Sequence, residues 1–197
     1  MRGESGARGW IWGPLCCLLA TAGLATYGLA AYGLAAGGAV TTAASSIVAT
    51  FMQEHAAVDA PFRNFSGTIS YSAARPQDTT ATLLVDVSSL DLGDADASAE
   101  LRKPAWFDSA RYPQATFHSS GVKPGAGGHF DVTGTLTIKG HSQVITVAIT
   151  LQPGAGGNAF DGSFELSRRA FGIGDPTWDS VLDDRVRVRF HLLAAGA

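Results

Sequence analysis

Leu136-Thr-Ile-Lys-Gly-His-Ser-Gln-Val-Ile-Thr-Val-Ala-Ile-Thr-Leu151 alternates apolar and polar residues, turns over Lys139-Gly-His-Ser142, and alternates again. Period two is the strand repeat, because successive side chains leave opposite faces of a pleated backbone. The stretch therefore reads as a β-hairpin with one apolar face on each arm. Phe130, Val132, Gly134, Leu136 and Ile138 share that face on the first arm, and Ile145, Val147, Ile149 and Leu151 on the second. Such a face leaves water only by packing against other side chains of the chain, or against something the chain carries.

The same pattern extends in both directions. Ser45 to Glu54 reads as a first strand. Phe65, Gly67, Ile69 and Tyr71 share a face of a second, and Ala81, Leu83, Val85 and Val87 of a third. Ala115, Phe117 and Ser119 belong to a fourth. After the hairpin come Phe160, Gly162, Phe164 and Leu166, then Val186, Val188, Phe190 and Leu192. Arg185, Arg187, Arg189 and His191 fall on the opposite, wet face of that last strand. Pro124–Gly128 and Pro153–Gly157 mark turns, and Asp183-Asp184 reads as the turn before the last strand. The one region without alternation is Ala95 to Tyr112, where Ala97–Lys103 forms a turn or two of helix stopped by Pro104.

Eight antiparallel strands with one apolar face each close into an up-and-down barrel or stack as a sandwich. A barrel of that size encloses packed side chains or one small ligand. Gly67, Gly134 and Gly162 fall at inward positions, where glycine either kinks a closing strand or leaves space for a guest.

The chain has 197 residues, a formal net charge of −3 and only 16% charged residues. That suits one domain with a tail and excludes the basic stripe a nucleic-acid partner needs. Residues 1–40 read differently from 41–197. Arg2 and Arg8 precede a charge-free apolar run that ends in small residues, the composition of a secretory signal. The run is also long enough to span a bilayer as an uncleaved N-terminal helix. Both readings send residues 41–197 across the membrane. The adjacent cysteines, Cys16 and Cys17, lie in this leader, so the remaining chain needs no disulfide framework.

No catalytic constellation emerges, and the chain reads as a non-enzyme with no cofactor and no metal. His55, His118, His129, His141 and His191 do not pair at metal-ligand spacing. Asp91, Asp94, Asp96 and Glu100 fit no calcium loop and read as turn and helix-cap residues.

Five stretches, in this order and spacing, resemble the YceI-like family of exported β-barrel proteins that bind polyisoprenoids and related lipids. Phe62-Arg-Asn-Phe-Ser-Gly-Thr-Ile69 is similar to its F-x-x-F-x-G-x-I strand, and Val85-Asp-Val-Ser-Ser-Leu-Asp-Leu-Gly93 to the segment that follows. Trp106-Phe-Asp-Ser-Ala-Arg-Tyr-Pro-Gln-Ala-Thr-Phe117 is similar to its W-F-D-x-x-x-Y-P-x-A-x-F signature. Gly134-Thr-Leu-Thr-Ile-Lys-Gly-His-Ser142 is similar to its hairpin, with Ser142 where Thr is usual. Arg169-Ala-Phe-Gly-Ile-Gly174 resembles the late R-x-x-F-x-I-G element. The start of the first strand lacks the usual aromatic-Asp opening, and the Ala/Gly-rich leader is atypical.

The resemblance implies an all-β, eight-stranded lipocalin-like barrel with a short helical insertion, and the composition of the leader adds an apolar N-terminal helix before it. It implies a periplasmic or secreted protein, with an inner-membrane tether if the leader stays. It also implies an isoprenoid or other long-chain lipid as partner, held for carriage or storage, and leaves a homodimer open. The residues expected to line the site are Phe65, Ile69, Leu83, Val85, Phe117, Phe130, Val132, Leu136, Val147, Phe164, Phe171, Trp178, Val188 and Phe190. Arg169, Lys139 and Trp178 are the expected neighbours of a head group at the mouth. Burial contributes about 0.8 kcal/mol per methylene, so a dozen carbons give on the order of 10 kcal/mol before the costs of association. Two other readings stay open: a ligand-free interaction module with a filled core at the membrane surface, and a partner of membrane redox proteins.

Overall fold

Ten strands form one antiparallel sheet in the computed structural model, which describes residues 37–195. They are β1 (Gly38–Ala39), β2 (Ser46–Gln53), β3 (Ala56–Phe62), β4 (Phe65–Ser70), β5 (Thr80–Asp86), β6 (Gln114–Pro124), β7 (His129–Ile138), β8 (His141–Gly154), β9 (Gly157–Ser167) and β10 (Leu182–Ala194). From β4 to β10 every strand pairs with the next in sequence, and the sheet order is β1-β4-β5-β6-β7-β8-β9-β10-β2-β3. The all-β expectation stands. Nearly all of the leader expected over residues 1–40, with its apolar helix, lies outside the described residues. Among the described residues no helix is long and apolar enough to cross a membrane.

The sheet curls until its edges are stitched. The short segment after β1 joins two distant strands: Val40 N–H donates to Gly67 O of β4 at 2.9 Å, and Thr41 N–H to Leu193 O of β10 at 2.8 Å. At the other edge, Asp91 N–H donates to Pro61 O of β3 and Arg63 N–H to Ser89 O, tying β3 to the chain just beyond β5. These bonds pair some of the backbone groups that an open edge would offer as a template for aggregation.

The structure has two strands more than the eight expected. Glu54 and His55 both take positive φ, 48° and 69°, and turn the chain back after β2 into β3. Neither is a residue that usually signals a hairpin, and β3 carries Pro61, which only an edge strand tolerates. The other addition, β1, is too short to show a period. The opening hairpin is tighter than Lys139–Ser142. Only Lys139 and Gly140 stay in the turn, both at positive φ (49° and 77°), and His141 already pairs with Ile138. Asp183 and Asp184 lie inside β10, at a register shift between Leu182 and Val186, rather than in a turn before it.

The insertion folds as α1 (Ala95–Glu100), two residues earlier than Ala97–Lys103, because Asp94 caps it by accepting from Ala97 N–H at 2.8 Å. Asp91 accepts from Gly93 N–H at 2.8 Å, so the acidic cluster shapes a turn and a cap. The three arginines of β10 keep to the outer face, where Arg187 meets Glu165 at 2.9 Å and Arg189 meets Asp59 at 2.7 Å.

Packing fills the two ends. At one, Tyr71 stands edge-on to Phe130 and to Phe160, each at 6.1 Å, above Val40, Leu192 and Ala194. At the other, the segment from Val87 to Pro113 packs Trp106 with the fully buried Phe171 and Ile173. A β-carbon at Gly140 would demand a left-handed conformation and lie 2.9 Å from Tyr112 Cε1. Gly140→Val is therefore expected to destabilise the protein by about 2 kcal/mol, lowering Tm by roughly 4–8 °C. Thermal unfolding followed by circular dichroism reads this; a variant that melts with the wild type would refute the turn assignment.

Candidate functional site

Alternation aims every second residue of these strands inward, and an inward residue in a filled barrel loses its contact with solvent. Leu83, Val85, Phe117, Phe164, Val188 and Phe190 do not: they are only half-buried. They border a cavity of about 370 Å³, within the roughly 300–1,000 Å³ of ligand sites. All its lining residues are apolar except Gln53, Thr79, Glu100, Thr116 and Arg168. The lining meets solvent at the capped end, where Gln53 and Trp178 are exposed and the Glu100 side chain is 43% exposed. Trp178 leans on Trp106 with ring centroids 5.8 Å apart.

Eleven of the expected residues line this cavity: Ile69, Leu83, Val85, Phe117, Val132, Leu136, Val147, Phe164, Trp178, Val188 and Phe190. Three do not. Phe65 and Phe130 are buried in the packed cluster with Val40, Ile47 and Leu192, and Phe171 is sealed beneath the cap. The lining also takes in Ile47, Ala49 and Phe51 of β2 and Phe62 of β3. From the cap it takes Leu90, Leu101, Trp106 and Phe107. The β2 residues alternate and were legible; those of the cap follow no period.

The three inward glycines give their space to neighbouring side chains. A methyl at Gly162 would lie 2.5 Å from Phe190 Cζ, and one at Gly67 would lie 2.6 Å from Leu83 Cδ2. At Gly134 it would lie 2.6 Å from Phe117 Cε2 and from His118 O. The rings rest on the sheet where a β-carbon would be, and the hollow lies beyond them.

One buried cation holds the capped end together. Arg168 is 2% exposed. Its Nε donates to Asp183 O at 3.0 Å and its Nη1 to Ile173 O at 3.2 Å. Its Nη2 donates to Asp179 Oδ1 at 2.6 Å and to Leu182 O at 3.0 Å. These bonds fold the connection between β9 and β10 over the barrel, and Gly174 N–H ties it to Ala105 O of the insertion at 2.9 Å. The late sequence motif starts at Arg168 rather than at the expected Arg169, by its spacing to Phe171 and Ile173. Arg169 sits outside, with Nε 3.5 Å from Asp184 and 3.6 Å from Asp179. Lys139 Nζ donates to Gly172 O at 2.5 Å. Burial pushes the Lys139 ammonium below its usual pKa, and Asp108 opposes that shift. Among the described residues, no group of three or more His, Cys, Asp or Glu is placed to hold a metal ion.

Asp184 anchors the same connection, accepting from Ser167 Oγ at 2.8 and 2.9 Å and from Arg169 N–H at 3.0 Å. Burial pushes its carboxyl up, but those hydrogen bonds and the charges of Arg169 and Arg168 outweigh burial and hold it below the usual aspartate range.

The family model for the YceI-like domain matches residues 39–194. The UPF0312 protein of Azotobacter vinelandii is 31% identical over 118 residues, which cover 57% of this chain and 62% of that protein. Protein YceI of Escherichia coli O157:H7 is 32% identical over 90 residues, 46% of this chain and 47% of that one. The matched stretches thus span about half to three-fifths of these curated relatives. The crystal structure of Burkholderia cenocepacia BcnA superposes with a TM-score of 0.77 at 35% identity, covering 79% of this chain and 99% of BcnA. The structure of a polyisoprenoid binding domain from Saccharophagus degradans, implicated in plant cell wall breakdown, superposes with a TM-score of 0.67 at 20% identity, covering 81% and 98%. That likeness is one of fold.

Two outcomes follow from the capped end. Arg168→Met leaves three carbonyls and Asp179 without their donor, and is expected to destabilise the protein by about 3–5 kcal/mol in chemical denaturation. A loss below about 1 kcal/mol would show the clamp to be dispensable. Because the Asp184 pKa is depressed in the folded state, its contribution is complete above the unfolded aspartate pKa and lost as pH falls through the folded value. The Tm gap between wild type and Asp184→Asn should therefore be constant near neutral pH and close on acidification below about pH 4. A gap that stays constant down to acid unfolding would refute this.

Proposed function

The chain belongs to the YceI-like family, and we propose that it is an exported protein that binds rather than transforms its partner. It holds the tail of an isoprenoid or other long-chain lipid inside the barrel, for carriage or storage. The observation that carries the reading is the hollow itself: about 370 Å³ walled almost wholly by apolar side chains. Such a lining offers few polar partners along a hydrocarbon tail and gains from each methylene it takes out of water. The polyisoprenoid binding domain of Saccharophagus degradans, which shares this fold, supports an isoprenoid as the guest. The leader supports export, and membrane attachment where it is retained.

Of the five rings that would have to plug a ligand-free barrel, Phe130 and Phe160 pack at one end, while Phe117, Phe164 and Phe190 stand half-buried around the hollow. This favours the carrier over the filled interaction module. A redox partnership has no comparable observation in its favour.

Native mass spectrometry of the full chain purified without detergent is expected to show a solvent-extractable apolar adduct, or uptake of added geranylgeraniol. Protein that stays empty under both conditions would refute the reading. Val188 lines the hollow, and Val188→Trp adds an indole's bulk at that position. It is expected to weaken geranylgeraniol binding by about tenfold or more, with little change in Tm. Unchanged affinity would put the guest elsewhere.

A further inference from the structure

We propose, resting on that reading of the lumen, that two ring-on-glycine pairs set the lumen's girth and so select guests by width: Phe190 on Gly162, and Phe117 on Gly134. Phe190 and Gly162 are direct partners across β10 and β9. The ring tip is the nearest atom a methyl at Gly162 would meet, at 2.5 Å; Ala148 O and Ile149 Cγ2 follow at 3.1 Å. The ring therefore fills the place of the missing side chain and lies against the wall. Phe117 reaches diagonally from β6, where Ser119 and Leu136 are the direct partners of Gly134 and Phe117 respectively. A methyl at Gly134 would strike that ring, and also the backbone oxygen of His118 at 2.6 Å.

Both phenylalanines line the cavity and both are half-buried, so one surface of each ring faces the wall and another faces the hollow. A β-carbon at Gly162 leaves the Phe190 ring one open direction, toward the lumen, because the sheet backbone closes the others. A lumen narrowed at one level still admits a slim unbranched chain and rejects one that carries methyl branches. Rings resting on glycine also occur as a folding device in β-sheets, and that role alone would leave the ranking of guests unchanged.

The test compares geranylgeraniol with hexadecan-1-ol, whose main chain has the same length but no branches, each titrated into delipidated full-length protein against a fluorescent fatty alcohol. Gly162→Ala is expected to weaken geranylgeraniol by about tenfold and hexadecan-1-ol by less than about threefold. Gly162→Ala combined with Phe190→Leu is expected to restore geranylgeraniol. Phe190→Leu alone should shift the ratio of affinities toward geranylgeraniol, which keeps the test open if the glycine variant fails to fold. Equal weakening of both alcohols, a double variant that does not recover, or an unchanged ratio in Phe190→Leu would overturn the assignment of girth. A wild type that binds neither alcohol would instead overturn the lumen reading on which it rests.

Discussion

A sheet with an apolar inner face has two debts to water: the face must be covered, and the backbone groups on its outermost strands must find partners. Closure settles both at once, and here it depends on a very short piece of chain. Val40 and Thr41 donate to Gly67 on one side and to Leu193 on the other, bridging strands that the sheet order places far apart. The opposite edge leans on the segment after β5 through Pro61 and Asp91. Once both seams exist, every inward side chain faces the same enclosed space.

Whether that space is solid or hollow is then a matter of where bulk is placed. Aromatic mass gathers at the ends, in the Tyr71, Phe130 and Phe160 cluster and beneath the cap around Trp106 and Phe171. Between them the remaining rings lie along the wall, seated on glycines that offer no β-carbon to lift them. The capped end is held by polar bonds rather than by filling. The Arg168 side chain gathers three carbonyls and a carboxylate from residues 173–183, which pins the connection and the start of β10 together over the hollow. Fold and site are in this sense the same object: the core that would normally be packed has been moved to the two ends.

Much of this was legible because period two survives in the long strands. β7 to β10 could be traced from alternation alone, and with them more than a third of the lining. What escaped did so for identifiable reasons. β3 has a proline and an alanine-rich face, and its turn uses Glu54 and His55 at positive φ, residues that do not announce a reversal. The bulge at Asp183 and Asp184 hides inside a strand because bulges leave no periodic trace. Phe65, Phe130 and Phe190 point the same way in sequence, yet two of them are buried in packing and one borders the hollow. Position along a strand, which alternation does not encode, makes that difference. The cap residues Leu90, Trp106 and Phe107 reach the lumen from a segment without period, and Arg168 was overshadowed by the arginine beside it.

The central claim is that an apolar hollow, rather than a packed core, occupies the middle of this barrel and takes a hydrocarbon guest. Electron density inside the barrel of crystals grown from detergent-free protein tests it most directly. The account predicts a continuous tube of density running among Phe117, Val147 and Val188 with no hydrogen-bonded partner along its length. Side chains collapsed across that space, or a file of ordered water molecules within it, would contradict the account.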